Sequence, residues 1–172
     1  MIGIGVWGPG RVGTAIARSV AALGSNSGYR MVGVSPRDIG GRCPLARDLD
    51  VPTMTPAELV TTADLTVLAA PDDALAEAAT ALAAQVIASG HSAADRSVVH
   101  CSGALDLSVL ASVGALGAAI GAWHPLQAFP TTGSPVRPGI TWAVTASPEL
   151  AATLTELSLA PVSYTHLTLP TN

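Results

Sequence analysis

Apolar runs and apolar stripes of helical spacing alternate along most of the chain. Residues 2–7 (IGIGVW) are apolar, partly β-branched and ended by glycine, as in a buried strand. Over residues 11–23, Val12, Ile16, Val20 and Leu23 recur at helical spacing, and Gly24 stops them. Residues 29–35 give a second strand, closed by Pro36. Thr55-Pro56-Ala57-Glu58 is a helix start, with Thr55 as cap, Pro56 in the first turn and Glu58 reaching back. Residues 65–70 form a third strand; Pro71-Asp72-Asp73 breaks it and opens an alanine-rich helix to about Ala88. A strand over 97–101, a helix over 106–113, strands over 118–123 and 140–144, and a helix opened by Ser147-Pro148-Glu149 complete the pattern.

Strands alternating with helices predict a doubly wound parallel sheet covered on both faces, a three-layer αβα domain. Residues 131–139, with two prolines and two glycines, are the most linker-like internal stretch. The final eleven residues, VSYTHLTLPTN, lack the alanine richness of the rest and have no clear period. They resemble translated adapter sequence and are set aside as a non-native tail, 162–172. On that reading the natural protein continues beyond Pro161.

Composition then narrows the function. The formal charge is −4 without a basic run, which argues against nucleic acid as a partner. All eight basic residues are arginine, so no lysine is available for Schiff-base or acid/base chemistry. Cys43 and Cys101 are too few for a disulfide framework or a zinc site, and no metal centre is expected. The longest weakly polar run, 109–123, is shorter than the roughly 20 residues of a membrane span. A cytoplasmic protein without a membrane partner is the default expectation.

One motif has enough context to carry chemistry. In VWGPGRVGTAIA, Gly8, Gly10 and Gly13 form G-x-G-x-x-G between a strand and a helix. Gly8 permits the sharp turn, Gly10 lets a diphosphate approach the backbone, and Gly13 allows close packing of helix on strand. The helix N-terminus adds unpaired amides and partial positive charge for an anion. Gly8, Pro9, Gly10, Arg11, Val12 and Gly13 are thus the expected dinucleotide seat.

The end of the second strand, Val34-Ser35-Pro36-Arg37, bears on the choice of dinucleotide. Ser35 and Arg37 suit a 2′-phosphate and favour NADP over NAD. Asp38 suits a ribose 2′-hydroxyl instead, and Arg37 is alternatively a solvated loop residue.

Later strand ends should face the nicotinamide half. They bring Ala70, Pro71 and Asp72, and His100-Cys101-Ser102-Gly103. Asp72 reads as a helix cap before a catalytic acid. Ser102 and Gly103 offer a hydroxyl and amides to substrate, or simply a turn. Cys101 reads as a buried strand residue and His100 as a core histidine. In WHPLQAFP a strand delivers His124 into a loop stiffened by Pro125 and Pro130. An imidazole there can exchange a proton near neutral pH, or only pack.

Together GVWGPGRVGTAIA, LAAPDDALAEAA, HCSGALDLSVL and HPLQAFP resemble bacterial Rossmann-like proteins with a C-terminal DUF2520 domain, read as NADP-dependent oxidoreductases. The resemblance covers about residues 2–160. Related families include pyrroline-carboxylate reductase, prephenate dehydrogenase and F420-dependent NADP reductase. It implies an NAD(P)-binding domain over 1–146 and the start of a connection over 147–161. A helical domain that closes the site and forms a homodimer should follow. It implies cofactor contacts at Gly8 to Gly13, Ser35, Arg37 and Ala70 to Asp72, with Ser102, Gly103 and His124 beside the nicotinamide. The expected chemistry is hydride transfer to or from a small polar substrate, with His124 and Ser102 as catalytic groups. The rivals are a non-catalytic NADP(H) sensor and an NAD-dependent, prephenate-dehydrogenase-like enzyme. The 172-residue chain lacks the helical domain and is expected to be inactive alone.

Overall fold

The computed structural model describes residues 1–37, 42–160 and 165–168. Strands β1 (Ile2–Trp7), β2 (Tyr29–Ser35), β3 (Leu65–Leu68), β4 (Ser97–His100), β5 (Ala119–Pro125), β6 (Thr141–Ala146) and β7 (Thr165–Thr168) form one sheet. Its order is β2-β1-β3-β4-β5-β6-β7, and the chain reverses direction across the sheet after β2, between β1 and β3. The first five strands are parallel. In register, Trp7 lies level with Ser35 and Leu68, Leu68 with His100, and His100 with Ala122. The loops that leave β1 to β4 therefore emerge along one edge.

Helices α1 (Arg11–Ala22), α2 (Pro44–Asp48), α3 (Pro56–Thr62), α4 (Asp72–Ser89), α5 (Ala111–Gly114) and α6 (Pro148–Leu159) cover the two faces. One core joins Ile4, Val6 and Val67 to Ile16 and Val20 of α1 and Leu150 and Leu154 of α6. The other joins Leu68 and Val98 to Leu75, Leu82 and Val86 of α4. Alternate residues of β3 feed opposite cores and all four are buried, as expected of a strand covered on both sides. The α3 cap forms as expected. Thr55 Oγ1 accepts the Glu58 amide at 3.2 Å and Glu58 Oε2 accepts the Thr55 amide at 2.8 Å.

Several expectations are corrected. The sheet is not parallel throughout: β6 runs antiparallel to β5, because the segment joining them contains no crossover helix. The stretch 131–139 is not a linker but part of that folded connection, with Val136 buried. Strand β4 ends at His100, leaving Cys101 half-buried in the turn, and β3 ends at Leu68. The helix over 106–113 divides into a 3-10 turn, Leu107–Leu110, and α5. Asp72 is not a cap: Pro71 holds the cap position, and Asp72 and Asp73 lie in the first turn, favourably placed against the helix dipole. Helix α2 lies between β2 and α3, where no helix is expected, and β7 falls within residues 162–172. No helix among the described residues is long and apolar enough to cross a membrane.

Candidate functional site

A crevice of about 900 Å³ opens at the edge where β1 and β3 end. The β1–α1 turn forms its floor with Gly8, Pro9 and Gly10. Gly8 takes φ +83°, and a Cβ there would approach the Ala69 carbonyl oxygen to 3.0 Å. Its amide donates to the Ser35 carbonyl at 3.0 Å, stitching the turn to β2. A Cβ on Gly13 would overlap the Gly8 carbonyl oxygen and press on Val6 and Ala69. A Cβ on Gly10 would meet only the Gly8 carbonyl oxygen, at 4.0 Å. Two glycines are thus required by packing, while the third keeps the crevice open.

Helix α1 starts on this floor without a side-chain cap or an acidic residue in its first turn. The amides of Arg11, Val12 and Gly13 have no partner among the described residues. Three unpaired donors at a helix start, beside a glycine that adds no bulk, are the donor set a diphosphate requires. The residues present fit a dinucleotide.

Arg37 lines the crevice past β2, and so do Arg42 and Arg18, which the sequence reading did not single out. Arg18 projects from α1, where its Nη2 lies 3.4 Å from Asp48 Oδ2 of α2. Cys43, Pro44 and Leu45 continue this side. Ala69, Ala70 and Pro71 after β3, with Ala74 and Glu77 of α4, form the facing side. Ser35 stands apart: it is 0% exposed, and its hydroxyl has no hydrogen-bond partner. Asp38 lies outside the described residues.

Ser102, Gly103 and His124 do not line the crevice but meet one another in a second corner, beyond β4 and β5. His124 Nδ1 lies 2.7 Å from the Cys101 carbonyl oxygen, which can only accept, so Nδ1 carries a proton, and in the neutral ring the lone pair is on Nε2. Gly103 packs on this ring: a Cβ there would come within 2.6 Å of Nε2. His100 is fully buried, and its Nδ1 accepts the Ser102 amide at 3.2 Å. Its proton therefore sits on Nε2, which has no partner at hydrogen-bond geometry. Burial holds its pKa below the usual 6.5, against the upward pull of the Asp106 backbone and the Asp72 and Asp106 charges. Ser102 Oγ accepts the amides of Ala104 and Leu105 at 3.1 and 3.2 Å, so its lone pairs serve the turn and its O–H remains to donate. Burial pushes the Cys101 thiol up to about 12, away from thiolate chemistry. No cluster of three or more potential metal ligands occurs among the described residues.

A mostly parallel sheet reversed between β1 and β3, with a crevice at that point, defines a doubly wound three-layer α/β protein. The Rossmann-like domain family matches residues 1–125, and the chain belongs to it. No curated protein matches. Among solved structures, the chain is similar to a Bacteroides fragilis protein provisionally described as an NADP oxidoreductase. That pair has 22% identity, a TM-score of 0.76, and coverage of 98% of this chain and 60% of the other. A Synechocystis arogenate dehydrogenase gives 16% identity, a TM-score of 0.74, and coverage of 98% and 59%. A Plasmodium falciparum pyrroline carboxylate reductase with NADP bound gives 12%, 0.65, and 98% and 58%. The chain thus spans about 60% of the length of these structures.

Proposed function

We propose that this chain is the NADP(H)-binding domain of an oxidoreductase that acts on a small polar substrate. The observation that carries the reading is the uncapped start of α1 over an open glycine floor. That arrangement leaves the amides of residues 11–13 for a diphosphate. Arg37 and Arg42 on one side of the crevice favour a dinucleotide with an added 2′-phosphate, since guanidinium pairs with phosphate bidentately. The similarity to reductases described with NADP supports a nicotinamide cofactor.

When bound, the nicotinamide would supply or accept the hydride. The chain's own part is orientation and proton handling. With Nδ1–H fixed on the Cys101 carbonyl, His124 offers Nε2 as the basic atom, able to take a proton from a hydroxyl or amine and return it. Ser102 and Gly103 keep the turn that seats this imidazole. Closure of the site and a homodimer would come from a helical domain outside this chain.

The test is titration of NADPH and NADH into the chain and into Arg37→Ala. A charge-assisted phosphate contact contributes about 1.5–3 kcal/mol, so NADPH affinity should fall at least about tenfold while NADH affinity holds. Unchanged NADPH affinity would reassign Arg37 to the solvent. A protein that also carries the helical domain, yet oxidises NADPH with no imine, keto acid or aldehyde, would be a sensor of the coenzyme instead.

A further inference from the structure

The connection from β5 to β6 is closed by one side chain. Gln127 Nε2 donates to the Pro135 carbonyl at 2.7 Å, and its Oε1 accepts the Arg137 amide at 2.9 Å. A primary amide presents one donor and one acceptor end, so it acts here like a piece of backbone bridging two arms. Phe129 and Val136, 8% and 3% exposed, root those arms in the core shared with Ile16 and Val20 of α1.

The tip is a second closed unit. Ser134 donates its amide to the Thr131 carbonyl at 3.2 Å, and its Oγ accepts the Thr131 amide at 3.1 Å. Thr132 and Gly133 remain exposed at the tip and line the crevice together with Pro9, Gly10 and Arg18. The tip buries nothing apolar of its own, so its own packing does not offset the entropy lost on ordering it. Bracing and rooting instead hold two uncharged groups, a hydroxyl-bearing and a glycyl residue, at the wall beside the glycine floor.

We propose that this loop is the second wall of the dinucleotide crevice. Thr132 and Gly133 contact the diphosphate, and Gln127 is a positioning residue that fixes the wall relative to Gly10. The proposal rests on the cofactor reading above. A carboxylate-free tip of small residues suits an anion held by the α1 amides, with Arg18 lining the same crevice.

NADPH is titrated by fluorescence into the 172-residue chain, Gln127→Ala and Thr132→Glu. Releasing the brace makes the loop pay its ordering at each binding event, so Gln127→Ala should weaken NADPH about fivefold to tenfold. Thr132→Glu sets a carboxylate against the diphosphate and should weaken it more than about tenfold, with a loss that shrinks at high salt. Hydrogen exchange across 131–134 should slow when NADPH binds the unaltered chain and speed up in Gln127→Ala without ligand. Thr132 is exposed, so Thr132→Glu remains decisive if Gln127→Ala fails to fold. NADPH binding equally to all three chains overturns the wall and leaves the cofactor reading intact. No binding to the unaltered chain overturns the cofactor reading, and the wall with it.

Discussion

The glycine turn after β1 and the histidine corner after β4 lie on the same sheet edge and are built by opposite means. At the turn, backbone meets backbone: Gly13 against the Gly8 carbonyl, Gly8 against the Ala69 carbonyl, and the Gly8 amide on Ser35. At the corner, side chains hold the geometry: His124 donates to the Cys101 carbonyl, His100 accepts from Ser102, and Ser102 Oγ caps two further amides. The first construction clears space and exposes amides. The second fixes the tautomer and direction of an imidazole. A ligand's charged linker needs room and fixed dipoles, whereas proton transfer needs one nitrogen aimed one way, so each construction suits its proposed task.

Added bulk should affect the two regions differently. Gly13→Val forces side-chain carbon onto the Gly8 carbonyl, a backbone atom that moves only if the turn moves. Overpacking of this kind costs about 1–3 kcal/mol, and we expect the upper end. Thermal unfolding should shift by several degrees, and NADPH titration should show no binding. A variant that keeps its melting temperature and its NADPH affinity would mean that the turn does not set the crevice floor.

At Gly103 the obstacle is a side chain instead. Its backbone is not in the left-handed region, so Gly103→Ala meets no conformational penalty of its own, only the His124 ring. The imidazole must yield and lose its hydrogen bond to Cys101, a cost of about 1 kcal/mol. Nitrogen chemical shifts of His124 should report loss of the single Nδ1–H tautomer. In a His124→Ala background the same substitution should become nearly neutral. Additive losses in that cycle would show that Gly103 is needed for another reason.

Which parts were legible in the sequence follows from the same contrast. The glycine turn could be read because spacing encodes it: a strand period, three glycines and a helix period leave few arrangements for the backbone. The cap at Thr55 was readable for the same reason. Arg18 was not, since a helix residue's reach into a crevice depends on how α1 is rotated against the sheet. Ser35 stood at the foreseen strand end, but pleat alternation turned its hydroxyl into the interior. The Gln127 brace left no signal, because its partners are backbone groups 8 and 10 residues away that any residue type could supply. His124 and Ser102 were singled out by residue type, yet nothing in their spacing told that Ser102 Oγ accepts two amides of its own turn.

The smallest expected effect separates the corner's buried histidine from its exposed neighbours. His100 is biased toward the neutral form, since a proton on Nδ1 would displace the Ser102 amide in a site closed to water. The unfolded chain takes up that proton near the usual pKa of 6.5, and the folded chain resists it. His100 therefore leaves stability intact above about pH 6.5 and erodes it as pH falls below, by up to about 1.4 kcal/mol per pH unit. Glu58 and Asp106, held below their usual 4.5 and 3.8 by bonds from Thr55 and Ser108, keep their contribution above about pH 5. Melting temperatures at pH 7.5 and 5.5 consequently leave both carboxylates out of the comparison. We expect a fall, at about 2–4 °C for each kcal/mol lost in a chain of this size. His100→Asn retains an acceptor for Ser102 without titrating, and should flatten the dependence between those two pH values. Equal slopes in both proteins would mean that His100 takes a proton within the fold, and that the corner does not depend on its neutrality.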